Sequence, residues 1–87
     1  MIVIRYVAPA APVHVLMIPK AHTENIITAE PELLLYMFGK VKELAEKLGV
    51  NEKGFRIVAN TGDDGGQTVK HLHIHLLGGK ALGWPPC

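Results

Sequence analysis

The chain has 87 residues, nine Lys and Arg against eight Asp and Glu, a formal net charge of +1, and 48% hydrophobic residues. That length holds one domain and excludes a second, and the apolar content excludes intrinsic disorder, in which low hydrophobicity and high net charge prevent collapse. With no block of basic residues, the near-neutral charge also removes the electrostatic support that nucleic-acid or membrane-surface binding requires. A small domain has proportionally little interior, so the apolar excess predicts burial against a second copy, a homodimer. The single cysteine, Cys87, excludes a disulfide within the chain and a cysteine-based zinc site. It fits a reducing cytoplasm, and no stretch has the pattern of a signal peptide or the length of a transmembrane helix.

Ile2 to Val7 is a β-branched run closed by Ala8-Pro9, and Val13 to Ile18 is an apolar run between Pro12 and Pro19. Both read as strands, because proline lacks the ladder donor and marks strand ends. From Thr28 to Leu48 the period becomes helical: Leu34, Met37, Phe38, Val41, Leu44, Ala45 and Leu48 fall on one stripe, with Lys and Glu between them. Thr28 is the expected N-cap, Pro31 suits the first turn, and Gly49 suits the residue that ends the helix. Phe55 to Ala59 is a third strand. Then comes the loop Asn60-Thr61-Gly62-Asp63-Asp64-Gly65-Gly66-Gln67, and Val69 to Leu77 is the expected fourth strand. Gly78-Gly79 ends it, and the tail through Trp84-Pro85-Pro86 cannot continue a sheet.

Within the fourth strand, side chains alternate between faces. Leu72, Ile74 and Leu76 belong under the helix, and His71, His73 and His75 line the other face at intervals of about 6.8 Å. A lone histidine there would be an unremarkable polar residue; three in strict alternation call for a function. One reading is a metal site, since imidazoles two apart on a strand can chelate zinc. The other is a nucleophilic histidine supported by its neighbours. The preceding loop favours an anion rather than carboxylate ligands: backbone amides of Gly65-Gly66-Gln67-Thr68 can form a concave nest, with the Thr68 hydroxyl and Gln67 amide as further donors. A phosphate beside an imidazole points to phosphoryl or nucleotidyl transfer. His14, inside the second strand, reads as packing or a local hydrogen bond.

His71-Leu72-His73-Ile74-His75-Leu76-Leu77 resembles the His-x-His-x-His-x-x signature of the histidine triad (HIT) superfamily. The continuation Gly78-Gly79 with Trp84-Pro85-Pro86 resembles its Hint branch, the histidine triad nucleotide-binding proteins. The likeness extends to Ala11 through His22, with its Pro-Lys-x-His ending, and to Phe55 through Val69, so that it covers nearly the whole chain from Pro9 onward. The resemblance implies an α+β fold, with an antiparallel sheet of about four strands, one long helix, and a dimer that extends the sheet. It also implies hydrolysis of purine nucleoside phosphoramidates of the AMP-amine type through a nucleotidyl-histidine, without metal or other cofactor. Partners would be a purine nucleotide and a second copy, with no nucleic acid and no membrane.

Carried over by position, the nucleophile falls on His73, and His75 would hydrogen-bond the α-phosphate or the bridging atom. His71 and His22 would complete an imidazole network that orients His73. Asn60, Gly66, Gln67 and Thr68 fall on the phosphate and leaving-group side, and Trp84 on a tail residue that reaches the neighbouring protomer's site. The sequence departs from the family at its start: residues 1–87 read as a single HIT domain lacking the usual N-terminal helix and first strand, which leaves Ile2 to Val7 at a sheet edge. Tyr6 stands where the family has an acidic residue that binds both ribose hydroxyls. These departures carry a competing expectation, a non-catalytic nucleotide- or phosphate-binding or dimerisation module, as a shortened HIT paralogue.

Overall fold

The structure, a computed structural model, describes residues 1–86; Cys87 lies outside them. Four strands and one helix follow in the order β1 (Ile2–Arg5), β2 (Val13–Ile18), α1 (Pro31–Leu48), β3 (Phe55–Val58) and β4 (Ile74–Gly78). They form one antiparallel sheet in the order β1-β2-β4-β3, so the two central strands are β2 and β4. One face of this sheet carries the helix. Val15 and Met17 of β2 and Leu72, Ile74 and Leu76 along the β4 segment pack with Met37, Val41 and Ala45 of α1 and with Val50 into a single core. Truncating a core side chain such as Met17 or Ile74 to Ala would cost about 2–5 kcal/mol, much of the stability of a domain this small.

Five boundaries differ from the sequence expectation, β4 at both ends, and for two of them the local reason is plain. Helix α1 starts at Pro31 rather than after Thr28, with Glu30 as its N-cap in an extended conformation and no side-chain cap. A residue preceding proline is pushed out of helical φ/ψ, so a helix beginning at Thr28 would break at Glu30. Thr28 instead closes a separate turn, where its hydroxyl accepts from the Glu24 and Asn25 N–H groups at 3.1 and 3.2 Å. The helix ends as expected, with Gly49 in the left-handed region at φ 73°. Phe38, expected on the core stripe, is 48% exposed and shares a groove with Val41, Ala45 and Phe55.

The β4 ladder begins at Ile74, not Val69. Extending its register with β2 beyond Met17↔Ile74 would bring Leu72 opposite Pro19, which has no N–H to offer. Leu72 donates instead to the Thr23 carbonyl at 2.7 Å, so the triad segment is tied to the loop after β2. The alternation survives the loss of the ladder: Leu72 is buried while His71 and His73 are half-buried. Strands β1 and β3 are shorter than expected, ending at Arg5 and Val58. Beyond Arg5 one further ladder bond forms, from Tyr6 N–H to the His14 carbonyl at 3.0 Å, before the chain leaves the sheet at Val7, which is 96% exposed. As expected, β1 is an edge strand, paired on one side only. Among the described residues no helix is long and apolar enough to cross a membrane.

Candidate active site

The sheet face away from the helix carries the site, and the strand registers assemble it. Tyr6 falls opposite His14, Leu16 opposite His75, and Val58 opposite His75 on the other side. Two residues past Val58 the chain reaches Asn60, level with His73. The result is a cleft of about 320 Å³ lined by Tyr6, Leu16, Ile18, Asn60, Gly66, Gln67, Thr68, Val69, His71, His73 and His75. Seven of the expected site residues therefore meet in one place. His22 stands behind the cleft, bonded to His71, and Trp84 lies outside it, 82% exposed in the single chain.

The five imidazoles divide into two bonded pairs with His73 between them. On one side, His14 Nδ1 accepts from the Ala10 N–H at 3.0 Å, and His14 Nε2 lies 2.8 Å from His75 Nδ1. A backbone N–H can only donate, so the neutral His14 carries its proton on Nε2 and donates it to His75 Nδ1. Neutral His75 then carries its own proton on Nε2. On the other side, His71 Nε2 lies 3.2 Å from the Pro19 carbonyl, which can only accept, and His71 Nδ1 is 3.0 Å from His22 Nδ1. The proton of neutral His71 is thus on Nε2, and His22 donates to its Nδ1. His73 is fixed by backbone alone: its Nδ1 donates to the His71 carbonyl at 2.8 Å, which in the neutral ring leaves Nε2 with a free lone pair.

The same partners depress basicity. Burial pushes the His75 pKa below its usual value, and the charges that His73 and His14 would carry push it in the same direction. Burial alone lowers that of His14. Tyr6 covers this pair, its ring stacked on His14 at 4.6 Å between centroids and edge-on to His75 at 5.5 Å. His73 and His75 meet edge to face at 5.2 Å. The local hydrogen bond expected of His14 is present, but sequence reasoning missed that its other nitrogen reaches His75. Alternation along β2 places His14, Leu16 and Ile18 on one face; that this face adjoins the triad depends on the pairing of β2 with β4, a contact between distant segments.

Two of the four amides expected to form a nest in the glycine-rich loop are occupied. The Gly66 N–H donates to the Asp63 carbonyl and the Gln67 N–H to the Gly62 carbonyl, both at 3.0 Å, so these two donors close the loop on itself. The Gln67 side chain is occupied too. Its Oε1 accepts from the Gly62 N–H at 2.9 Å and from Asn25 Nδ2 at 3.2 Å, while its Nε2 donates to the Glu24 and Val69 carbonyls at 2.8 and 3.1 Å. An amide offers two donors and accepts at one oxygen, so Gln67 braces the loop and has no donor left for a phosphate. Asn60 Nδ2 donates to the Gly65 carbonyl at 2.7 Å and holds the loop's other end. Gly65 sits so close to Thr61 that a Cβ there would run into the Thr61 carbonyl. Among the expected donors the Gly65 and Thr68 N–H groups and the Thr68 hydroxyl have no partner among the described residues.

In this arrangement one imidazole nitrogen is a base or nucleophile and its neighbour a hydrogen-bond donor, both lining the same cleft. Among the described residues no three His, Cys, Asp or Glu side chains converge as a metal site requires. An antiparallel sheet backed by one helix, with a triad of alternating histidines at a looped cleft, defines a class of protein, and the comparisons give it a name. The chain matches the HIT domain over residues 1–82 and belongs to that family. It is 55% identical over 85 residues to an uncharacterized HIT-like protein of Synechococcus elongatus, a match covering 94% of this chain and 74% of that one. A HIT family hydrolase from Legionella pneumophila superposes with a TM-score of 0.92 at 42% identity, covering 98% of this chain and 79% of the other. A histidine triad nucleotide-binding protein from Candida albicans superposes at 0.79 with 29% identity, covering 95% and 66%.

Proposed function

We propose that this chain is a phosphoramidase of the Hint branch, cleaving purine nucleoside phosphoramidates of the AMP-amine type through a nucleotidyl-histidine. The observation that carries the reading is the bond from His73 Nδ1 to the His71 carbonyl, which leaves Nε2 unprotonated at the cleft. His73 Nε2 attacks the α-phosphorus, the P–N bond breaks, and the amine departs with a proton supplied by the imidazole network, which the water consumed in the second step replaces. Water then attacks the phosphorus of the nucleotidyl-histidine, releasing the nucleoside monophosphate and restoring neutral His73. The proton on His75 Nε2 serves as donor to the phosphoryl oxygen or to the bridging nitrogen, where charge develops in the transition state. Support comes from the hydrolase and nucleotide-binding protein among the superposed structures.

In this reading His71 and His22 hold the backbone carbonyl that orients His73 and offer a route for protons between the cleft and solvent. Thr68 and Asn60 flank the phosphate, while Gly66 and Gln67 shape the loop around it. A homodimer formed across α1 and β3 would cover the groove between Phe38 and Phe55, which are 48% and 38% exposed, and would bring Trp84 to the partner's cleft. The competing reading, a binding module without catalysis, has Tyr6 in its favour, because a phenol stands where the cleft would otherwise bind ribose through a carboxylate. Hydrolysis of a fluorogenic adenosine phosphoramidate in the presence of a chelator, by the wild type and by His73→Ala, decides between them. Activity lost in the variant, with a nucleotidyl adduct seen by intact mass in the wild type, is the expected result. A folded wild type with no activity would remove the catalytic reading.

A further inference from the structure

The cleft has two chemically different ends. Around His73 it presents imidazole, hydroxyl and amide groups, and on the β2 side, beside His75, its wall is Tyr6, Leu16 and Ile18. Tyr6 is fixed by stacking on His14 and by its edge contact with His75. An organic group that extends from a phosphate at His75 along the β2 side of the cleft lies against Tyr6 and its aliphatic neighbours. Among the described residues the lining of this cleft includes no Asp or Glu. A carboxylate can accept from two adjacent hydroxyls at once through charge-assisted bonds, whereas a phenol has one oxygen and uses it both as donor and as acceptor.

Selection for a hydroxyl is strong only where the site is built to hydrogen-bond it, because the buried partner is then left unpaired by an analogue that lacks the group. Leu16 and Ile18 offer contact area alone. We infer that Tyr6 sets the substrate class of this cleft, making it indifferent to the vicinal hydroxyls of a nucleotide sugar, so that 2′-deoxynucleoside and ribonucleoside substrates are taken alike. The inference rests on the phosphoramidase reading for the bond that is cleaved, but not for which nucleotides bind.

The test compares adenosine and 2′-deoxyadenosine 5′-phosphoramidates with the same leaving amine, by kcat/KM, and titrates AMP and 2′-deoxy-AMP calorimetrically into the same 87-residue chain. Both ratios are expected to stay within about threefold. Tyr6→Phe should leave them there, and Tyr6→Asp should shift them about tenfold or more toward the ribonucleotide. A wild-type preference for ribose of about tenfold or more overturns the inference whether or not either variant folds. So does a folded Tyr6→Asp protein with unchanged ratios. Equal binding of AMP and 2′-deoxy-AMP without hydrolysis of either phosphoramidate would remove the proposed activity and uphold the inference; binding of neither would remove both.

Discussion

His14 offers a sharp perturbation because its two hydrogen bonds are separable from its packing. His14→Phe keeps an aromatic ring for Tyr6 to stack on but removes the acceptor for Ala10 N–H and the donor to His75 Nδ1. Ala10 is exposed and regains a water partner. The stability cost is therefore that of one partly buried bond, about 1 kcal/mol, partly offset by the apolar character of Phe at a site that is 8% exposed. Catalysis should suffer more than stability. Without the His14 proton, no other donor among the described residues keeps His75 Nδ1 an acceptor, so His75 loses the bond that fixes its tautomer. If half of a donor bond worth about 1.5–3 kcal/mol in a charged transition state is lost, kcat falls about 3- to 10-fold. The assays are urea denaturation and steady-state hydrolysis of the adenosine phosphoramidate, with His14→Gln as a second variant that retains a donor amide. An unchanged kcat in a folded His14→Phe protein would refute the argument and reduce His14 to packing.

The lowered pKa values of His14 and His75 predict a pH dependence of stability. The unfolded chain binds protons first as pH falls below the ordinary histidine value of 6.5, so the stability due to these groups is complete above that pH. It is lost as pH falls from there through the lowered folded values; denaturation midpoints should drop over that window, and less steeply in His14→Phe. Gln67→Glu should destabilise the loop more than Gln67→Ala, because the carboxylate cannot donate to the Glu24 and Val69 carbonyls and instead repels them. We expect a loss of about 2 kcal/mol or more by thermal denaturation and a fall in kcat/KM. Gly65→Ala must displace the loop from Thr61, so kcat/KM should fall while the core, distant from this loop, keeps the denaturant slope unchanged. Phe55→Glu should shift sedimentation of the chain toward the monomer if α1 and β3 form the dimer contact, since a desolvated carboxylate cannot be accommodated there unpaired.

Which parts of this protein could be read from the sequence follows the range of the interactions that determine them. The alternation of His71, Leu72, His73, Ile74 and His75 is set by the two-residue period of an extended chain. It was therefore legible and survived even where the ladder itself did not form. The stop of α1 at Gly49 is equally local, whereas its start lies at Pro31 because the effect of Pro31 on Glu30 outweighs the capping preference of Thr28. Gln67 looked like a phosphate donor because composition shows that an amide is present, not that Gly62, Glu24, Asn25 and Val69 already occupy it. The clearest case is the imidazole set.

Five identical side chains acquire different chemistry only through groups contributed from elsewhere in the chain. Ala10 N–H makes His14 a donor toward His75, the Pro19 carbonyl makes His71 an acceptor toward His22, and the His71 carbonyl leaves His73 bare at Nε2. Two of these three groups lie in the segments that flank β2, and they reach the triad only because β2 pairs with β4 in one register. A slip of that register by one residue would turn His14 to the helix side and separate it from His75. The same strand pairing that builds the core thus assigns the protons, and that is why the triad is legible in the motif while its tautomers are not.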